Sequence, residues 1–196
     1  MKALILVDIQ HDFLPGGALA VAQGDEVIAP ANRLQGDYDL VIATQDWHPA
    51  DHKSFASNHP GKVPFEHIDL QGLDQVLWPD HCIQGSFGAS FSEKLDTASI
   101  EAIFRKGMDP QIDSYSGFFD NGRKKATGMA DYLKGRGINE VHVCGLAADY
   151  CVYYTAKDAL DLGFKAAILD YATKPIDASN YESIKQDFVA RGGVIF

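Results

Sequence analysis

Apolar residues in this chain gather in short unbroken runs, separated by longer mixed segments. Residues 2–7 are almost wholly apolar, and similar runs recur at 40–43, 102–104, 141–144, 166–169 and 193–196. Runs of this length without polar alternation are the pattern of strands buried on both faces. The segments between them predict helices over 25–34, 125–134, 149–162 and 179–190, the last three followed by Gly135, Gly163 and Gly192. Ser179 and Glu182 have capping-box spacing at the start of the last helix. Strands alternating with helices build βαβ units. The expected fold is therefore α/β, a three-layer sandwich with a six-stranded, mostly parallel sheet and helices on both faces.

Residues 46–99 break this rhythm, with no convincing strand or long helix. They hold five of the seven histidines and both tryptophans, and an irregular stretch of this length is usually functional. In open α/β sheets ligands sit beyond the carboxyl ends of the strands, a rule that singles out Asp8, Asp46, Lys106 and the residues after Cys144.

Composition narrows the picture. The 196 residues fit a single domain, 1–196, with no visible repeat or linker. The net charge of −10 argues against a nucleic-acid partner. No apolar run approaches the roughly 20 residues that span a bilayer. The apolar start is too short for a signal peptide. An odd count of three cysteines without a secretion signal points to reduced thiols and a cytoplasmic location.

Cys151 follows a strand by the short turn Gly145-Leu146-Ala147-Ala148 and falls in the first turn of the next helix. Free N–H groups and the helix dipole there favour a thiolate, the reactive form; the alternative is a buried structural thiol. Cys144, inside a strand, and Cys82 are read as packed thiols. Asp8, directly after a strand, is a cap or a member of an active site. Lys106, at a strand end, is a solvated cation or a catalytic one. Asp46 and His48, with His52 and His81 further on, offer a carboxylate and imidazoles suited to zinc, iron or manganese, or else histidines that touch only water.

Together these residues resemble the nicotinamidases, cysteine hydrolases of the isochorismatase-like superfamily. The similarity runs the length of the chain. It includes Asp8-Ile9-Gln10-His11-Asp12-Phe13, Asp46-Trp47-His48 with His52, and Trp78-Pro79-Asp80-His81-Cys82. It continues through Phe104-Arg105-Lys106-Gly107, Tyr115-Ser116-Gly117-Phe118 and Gly145-Leu146-Ala147-Ala148-Asp149-Tyr150-Cys151-Val152. The resemblance implies a metal-dependent amidohydrolase that makes nicotinate and ammonia from nicotinamide and also accepts pyrazinamide, with Asp8, Lys106 and Cys151 as the catalytic triad. It implies an oxyanion hole from the Ala147 and Cys151 N–H groups, beside a cis Leu146–Ala147 peptide. It implies a substrate pocket of Phe13, Trp78, Tyr115, Leu146 and Ala147. One divalent transition metal ion is expected, zinc first and iron or manganese otherwise, on Asp46, His48 and His81 with His52 as an optional fourth ligand. Tyr150 stands where many relatives carry histidine, at the pocket edge. The expected partner is the small-molecule substrate alone, bound by a monomer or small homo-oligomer. A metal-independent hydrolase and a non-catalytic binding module are the alternatives; the complete set Asp8, Lys106 and Cys151 speaks against the latter.

Overall fold

The computed structural model describes all 196 residues. Eight strands form: β1 (Lys2–Val7), β2 (Leu40–Asp46), β3 (His67–Leu70), β4 (Leu73–Val76), β5 (Ala102–Lys106), β6 (Glu140–Leu146), β7 (Lys165–Lys174) and β8 (Val194–Ile195). The α-helices are α1 (Ile28–Leu34), α2 (Met129–Gly135), α3 (Tyr153–Asp161) and α4 (Ala178–Ala190). Six strands make one sheet in the order β5-β2-β1-β6-β7-β8. Every pairing within it is parallel.

Two layers of side chains cover this sheet, and the pleat divides them. Leu4 and Leu6 of β1 lie in one core with Val41, Ala43, Cys144 and Leu169, backed by Ile28 and Ala31 of α1. Ala3, Ile5 and Val7 lie in the other with Leu40, Ile42, Val141 and Val143. That face is covered by Met129 and Leu133 of α2, Ala156 and Ala159 of α3, and Phe188 of α4. Because alternate residues point to opposite faces, a strand buried on both sides must be apolar throughout.

Three local expectations change. The segment expected to open α2 at residue 125 stays non-helical until Met129: Gly128 has φ +89° and the Thr127 hydroxyl accepts the Met129 N–H. The helix expected from 149 opens with a wider π turn, Ala148–Val152, before α3. The cap of α4 is Asp177 rather than Ser179. Its carboxylate accepts the backbone N–H groups of Ser179 and Asn180, and Glu182 pairs with Lys185 instead. A carboxylate two residues earlier reaches the free N–H groups better than a hydroxyl already inside the first turn.

The irregular region holds a hairpin that its sequence does not announce. β3 and β4 pair antiparallel as a separate two-stranded sheet, joined by Gln71 and Gly72, both at positive φ. That is the geometry of a two-residue primed turn. Its strands are four residues long and largely exposed, so hydrophobic alternation has little to mark.

Candidate active site

Four adjacent strands deliver their carboxyl ends to one place. β5 ends on Lys106, β2 on Asp46, β1 immediately before Asp8, and β6 at the turn to Cys151. Chain order reverses between β1 and β6, where an open parallel sheet leaves its crevice. Register aligns Asp46 with Lys106 and Val7 with Gly145. Glycine is required at 145: its φ is +111°, and a Cβ would stand 2.1 Å from the Val7 carbonyl oxygen.

Lys106 is the hub and is buried. Its ammonium donates to Asp46 Oδ1 at 3.0 Å, to the Ser114 carbonyl at 3.1 Å and to Cys151 Sγ at 3.3 Å. It also lies 2.9 Å from Asp8 Oδ2, the shortest of its four contacts. Asp8 Oδ2 is thus buried against the ammonium, while Thr44 donates to Asp8 Oδ1 at 2.7 Å. Burial raises the Asp8 carboxyl above its ordinary value, against the pull of Lys106. Burial opposes charge on Lys106, yet Asp46 and Asp8 outweigh it and keep the ammonium firmly protonated. Burial also pushes the Cys151 thiol well up, with Lys106 opposing. Removal from water thus works against the thiolate that a helix start favours, and the Lys106 ammonium works for it.

The metal candidates also converge. His48 Nδ1 donates to the Gly107 carbonyl at 2.9 Å and His81 Nδ1 to the Pro79 carbonyl at 2.8 Å. Each ring therefore turns its Nε2 inward, 3.0 Å and 3.3 Å from Asp46 Oδ2. Two imidazole nitrogens and a carboxylate converging on one point form a candidate cation site, and the outer hydrogen bonds orient the rings toward it. Gln10 holds the Asp46 backbone from both sides, its Oε1 accepting the N–H and its Nε2 donating to the carbonyl, each at 2.8 Å. Gly107 leaves room for the His48 ring, which a Cβ would meet at 2.3 Å.

His52 differs. The Ser54 N–H donates to its Nδ1 at 3.1 Å, so the neutral ring carries its proton on Nε2 and offers no lone pair there. Burial keeps it neutral, with a pKa near about 4. It groups with His48 and Asp113, not with Asp46 and His81.

The pocket beside Cys151 is lined by Phe13, Trp78, Tyr115, Ala147 and Tyr150, with Asp46, His81 and Lys106 at its polar end. Leu146, expected here, is fully buried in the core and points toward Gly24, because its neighbour Ala147 takes the pocket face. The Leu146–Ala147 peptide is cis. The Ala147 N–H has no acceptor within the protein, and its carbonyl takes both the Tyr150 and Val152 N–H groups. Sequence reasoning missed Gln10, Gln75, Asp113 and Asp149. Only Asp149, beside the nucleophile, had a signal in position; the others are polar residues whose burial the chain does not reveal.

The isochorismatase domain model matches residues 2–195. The nicotinamidase of Escherichia coli strain K12 is 48% identical over 186 residues, 93% of this chain and 87% of the relative. The structure of an Acinetobacter baumanii nicotinamidase/pyrazinamidase superposes with a TM-score of 0.97 at 47% identity, covering 100% of this chain and 95% of that one. A pyrazinamidase of Pyrococcus horikoshii in complex with zinc superposes with a TM-score of 0.82 at 36% identity, covering 100% and 98%.

Proposed function

Because this chain belongs to the isochorismatase family, we infer that it hydrolyses nicotinamide to nicotinate and ammonia, and pyrazinamide by the same route. The observation that carries this is the position of Lys106 Nζ, in contact with Cys151 Sγ, Asp8 Oδ2 and Asp46 Oδ1 at once. A single ammonium thereby joins a thiol and a buried base to a cation site.

Asp8 takes the Cys151 proton as Sγ attacks the carboxamide carbon. Lys106 stabilises the developing thiolate and keeps Asp8 in place. The Ala147 and Cys151 N–H groups receive the oxyanion. Asp8 returns the proton to the leaving nitrogen, ammonia departs, and water resolves the thioester to the acid. Phe13, Trp78 and Tyr115 hold the ring between aromatic faces. A divalent metal belongs on Asp46, His48 and His81, three ligands with open positions. Zinc is the first choice on this donor set, and when bound it supplies a Lewis acid for the pyridine nitrogen. Three free cysteines agree with a reducing, cytoplasmic setting.

Ammonia release from three amides at equal concentration tests this reading. Nicotinamide and pyrazinamide both carry a nitrogen meta to the carboxamide-bearing carbon, whereas benzamide presents a C–H. A site built around a polar contact rejects analogues lacking it, and kcat/KM for benzamide should fall by at least about 10². Benzamide turned over as well as nicotinamide would mean that the ring nitrogen is not read.

A further inference from the structure

Asp8 has two carboxylate oxygens, and each meets a different partner. Oδ2 lies 2.9 Å from the Lys106 ammonium, which itself touches Cys151 Sγ at 3.3 Å. Oδ1 accepts a hydrogen bond from the Thr44 hydroxyl at 2.7 Å. Asp8 and Thr44 are both 0% exposed, so bulk water does not reach this pair.

Thr44 is a polar residue in a strand, β2, whose every position is buried. A hydroxyl there costs free energy unless it is hydrogen-bonded. Valine, of nearly the same shape and at least as good in a strand, would fill the space without that cost. Register sets Thr44 beside Val7, the residue before Asp8, and the hydroxyl's one partner in the protein is the Asp8 carboxylate.

The Thr44 rotamer is held from the opposite side. Gly117 packs on its methyl so closely that a Cβ at 117 would stand 2.6 Å from Thr44 Cγ2. Gly117 is fixed in turn: its N–H donates to Thr155 Oγ1 of α3 at 2.9 Å, and its carbonyl accepts the Thr127 hydroxyl at 2.6 Å. A β-branched side chain has few χ1 choices. With the methyl set against Gly117, the hydroxyl is set against Asp8. That contact gives a physical reason for glycine at 117, a position that lines neither the pocket beside Cys151 nor the cation site.

We propose that Thr44 is a positioning residue of the reaction: it acts through Asp8, holding Oδ1 so that Oδ2 stays against Lys106 beside the nucleophile, and Gly117 sets the rotamer in which it does so. The proposal rests on the reading of Asp8 as the base. Without the hydroxyl, Oδ1 loses its donor in the interior, and the carboxylate turns toward the remaining one, Lys106, with both oxygens. Proton transfer to and from a base depends on its placement against the reacting atoms. A small turn of Asp8 therefore slows the chemical steps without altering the ring pocket.

The test is a double-mutant cycle on the metal-loaded enzyme: wild type, Thr44→Val, Asp8→Asn and the two combined, with Thr44→Ser alongside. Ammonia release from nicotinamide gives kcat and KM, while metal content and thermal melts check that each variant is folded and loaded. Thr44→Val should lower kcat by about tenfold to a hundredfold, the scale of one hydrogen bond to a charged group, with KM unchanged within about twofold. Thr44→Ser keeps the hydroxyl and should retain at least about a third of wild-type kcat. On top of Asp8→Asn, Thr44→Val should change kcat by no more than about twofold, because the group it positions is gone.

Wild-type kcat in Thr44→Val, an equal loss in Thr44→Ser, a loss carried by KM, or an undiminished effect on top of Asp8→Asn would each overturn the proposal while leaving the base in place. Wild-type turnover in Asp8→Asn, or no ammonia release by the wild type, would instead fail the reading of the site and take the proposal with it. If Thr44→Val does not fold, Gly117→Ala decides. It keeps both the hydroxyl and the carboxylate but displaces the Thr44 side chain, so kcat should fall on the same scale, and an unchanged kcat would overturn the proposal.

Discussion

Lys106 places one fixed positive charge among Asp8, Asp46 and Cys151, and each of those groups behaves as that charge and its burial require. Asp46 lies in the interior, which disfavours charge, but His48 and Lys106 together hold its carboxyl well below the usual range. Asp8 is raised instead, so it accepts a proton more readily. A carboxyl raised by burial beside a thiol raised by burial, with one ammonium against both, suits proton transfer between them during attack. Cys151→Ala should abolish ammonia release while metal content and the circular dichroism spectrum stay at wild-type values. Asp8→Asn keeps shape and removes the base, and kcat should fall by about 10²–10⁴. Wild-type turnover in either variant would remove that residue from the mechanism.

Among the elements, α4 offers a test that the chemistry does not complicate. Its cap, Asp177, is held below the ordinary carboxylate value by the Ser179 hydroxyl and by the Asn180 and Ser179 N–H groups. A depressed folded value means that the cap stabilises above the unfolded pKa, 3.8. That contribution is lost as pH falls through the folded one. Asp177→Ala should lower Tm by a few degrees at neutral pH, whereas Ser179→Ala should cost less. The gap between wild type and Asp177→Ala should hold at neutral pH and narrow as pH falls below about 5 toward the folded value, followed by thermal melts in that range. A gap that widens on acidification would mean that another residue caps the helix. The π turn before α3 is the counterpart at the nucleophile: one extra residue per turn lets the Ala147 carbonyl take two N–H groups while its own N–H stays free.

For the whole molecule, the metal site exists only when the chain is folded, since Asp46 and His48 come from the end of β2 and His81 from a loop beyond the hairpin. A ligand that binds only the folded state stabilises it, by about 2.7 kcal/mol at a hundredfold excess over Kd. Chelation should therefore lower Tm, and added zinc should restore it. Elemental analysis should find about one divalent ion per chain, lost in His48→Ala and His81→Ala. His52→Ala should retain it, because the Nε2 of His52 carries a proton where a ligand needs a lone pair. Loss of the ion in His52→Ala, with His48 and His81 intact, would make His52 a ligand.

The chain by itself marked the inner strands of the main sheet, because β1, β2 and β6 are buried on both faces and need uninterrupted apolar runs. It also marked Asp8, Asp46, Lys106 and Cys151, since residues after such strands must lie at one end of the sheet. The exact starts of α2 and α4 were not legible, because caps and positive-φ turns depend on which side chain reaches a free N–H. The hairpin escaped notice because the alternation His67-Ile68-Asp69-Leu70 before Gln71-Gly72 spans only four residues inside a long irregular segment. Only the tertiary structure showed the buried bonds of Gln10, Gln75, Asp113 and Asp149. It alone made Leu146 a core residue, buried Cys151 against Lys106 and turned the Nδ1 of His52 to Ser54 where those of His48 and His81 face carbonyl groups. Each of those outcomes turns on distances between segments far apart in sequence, and on how much water their packing removes.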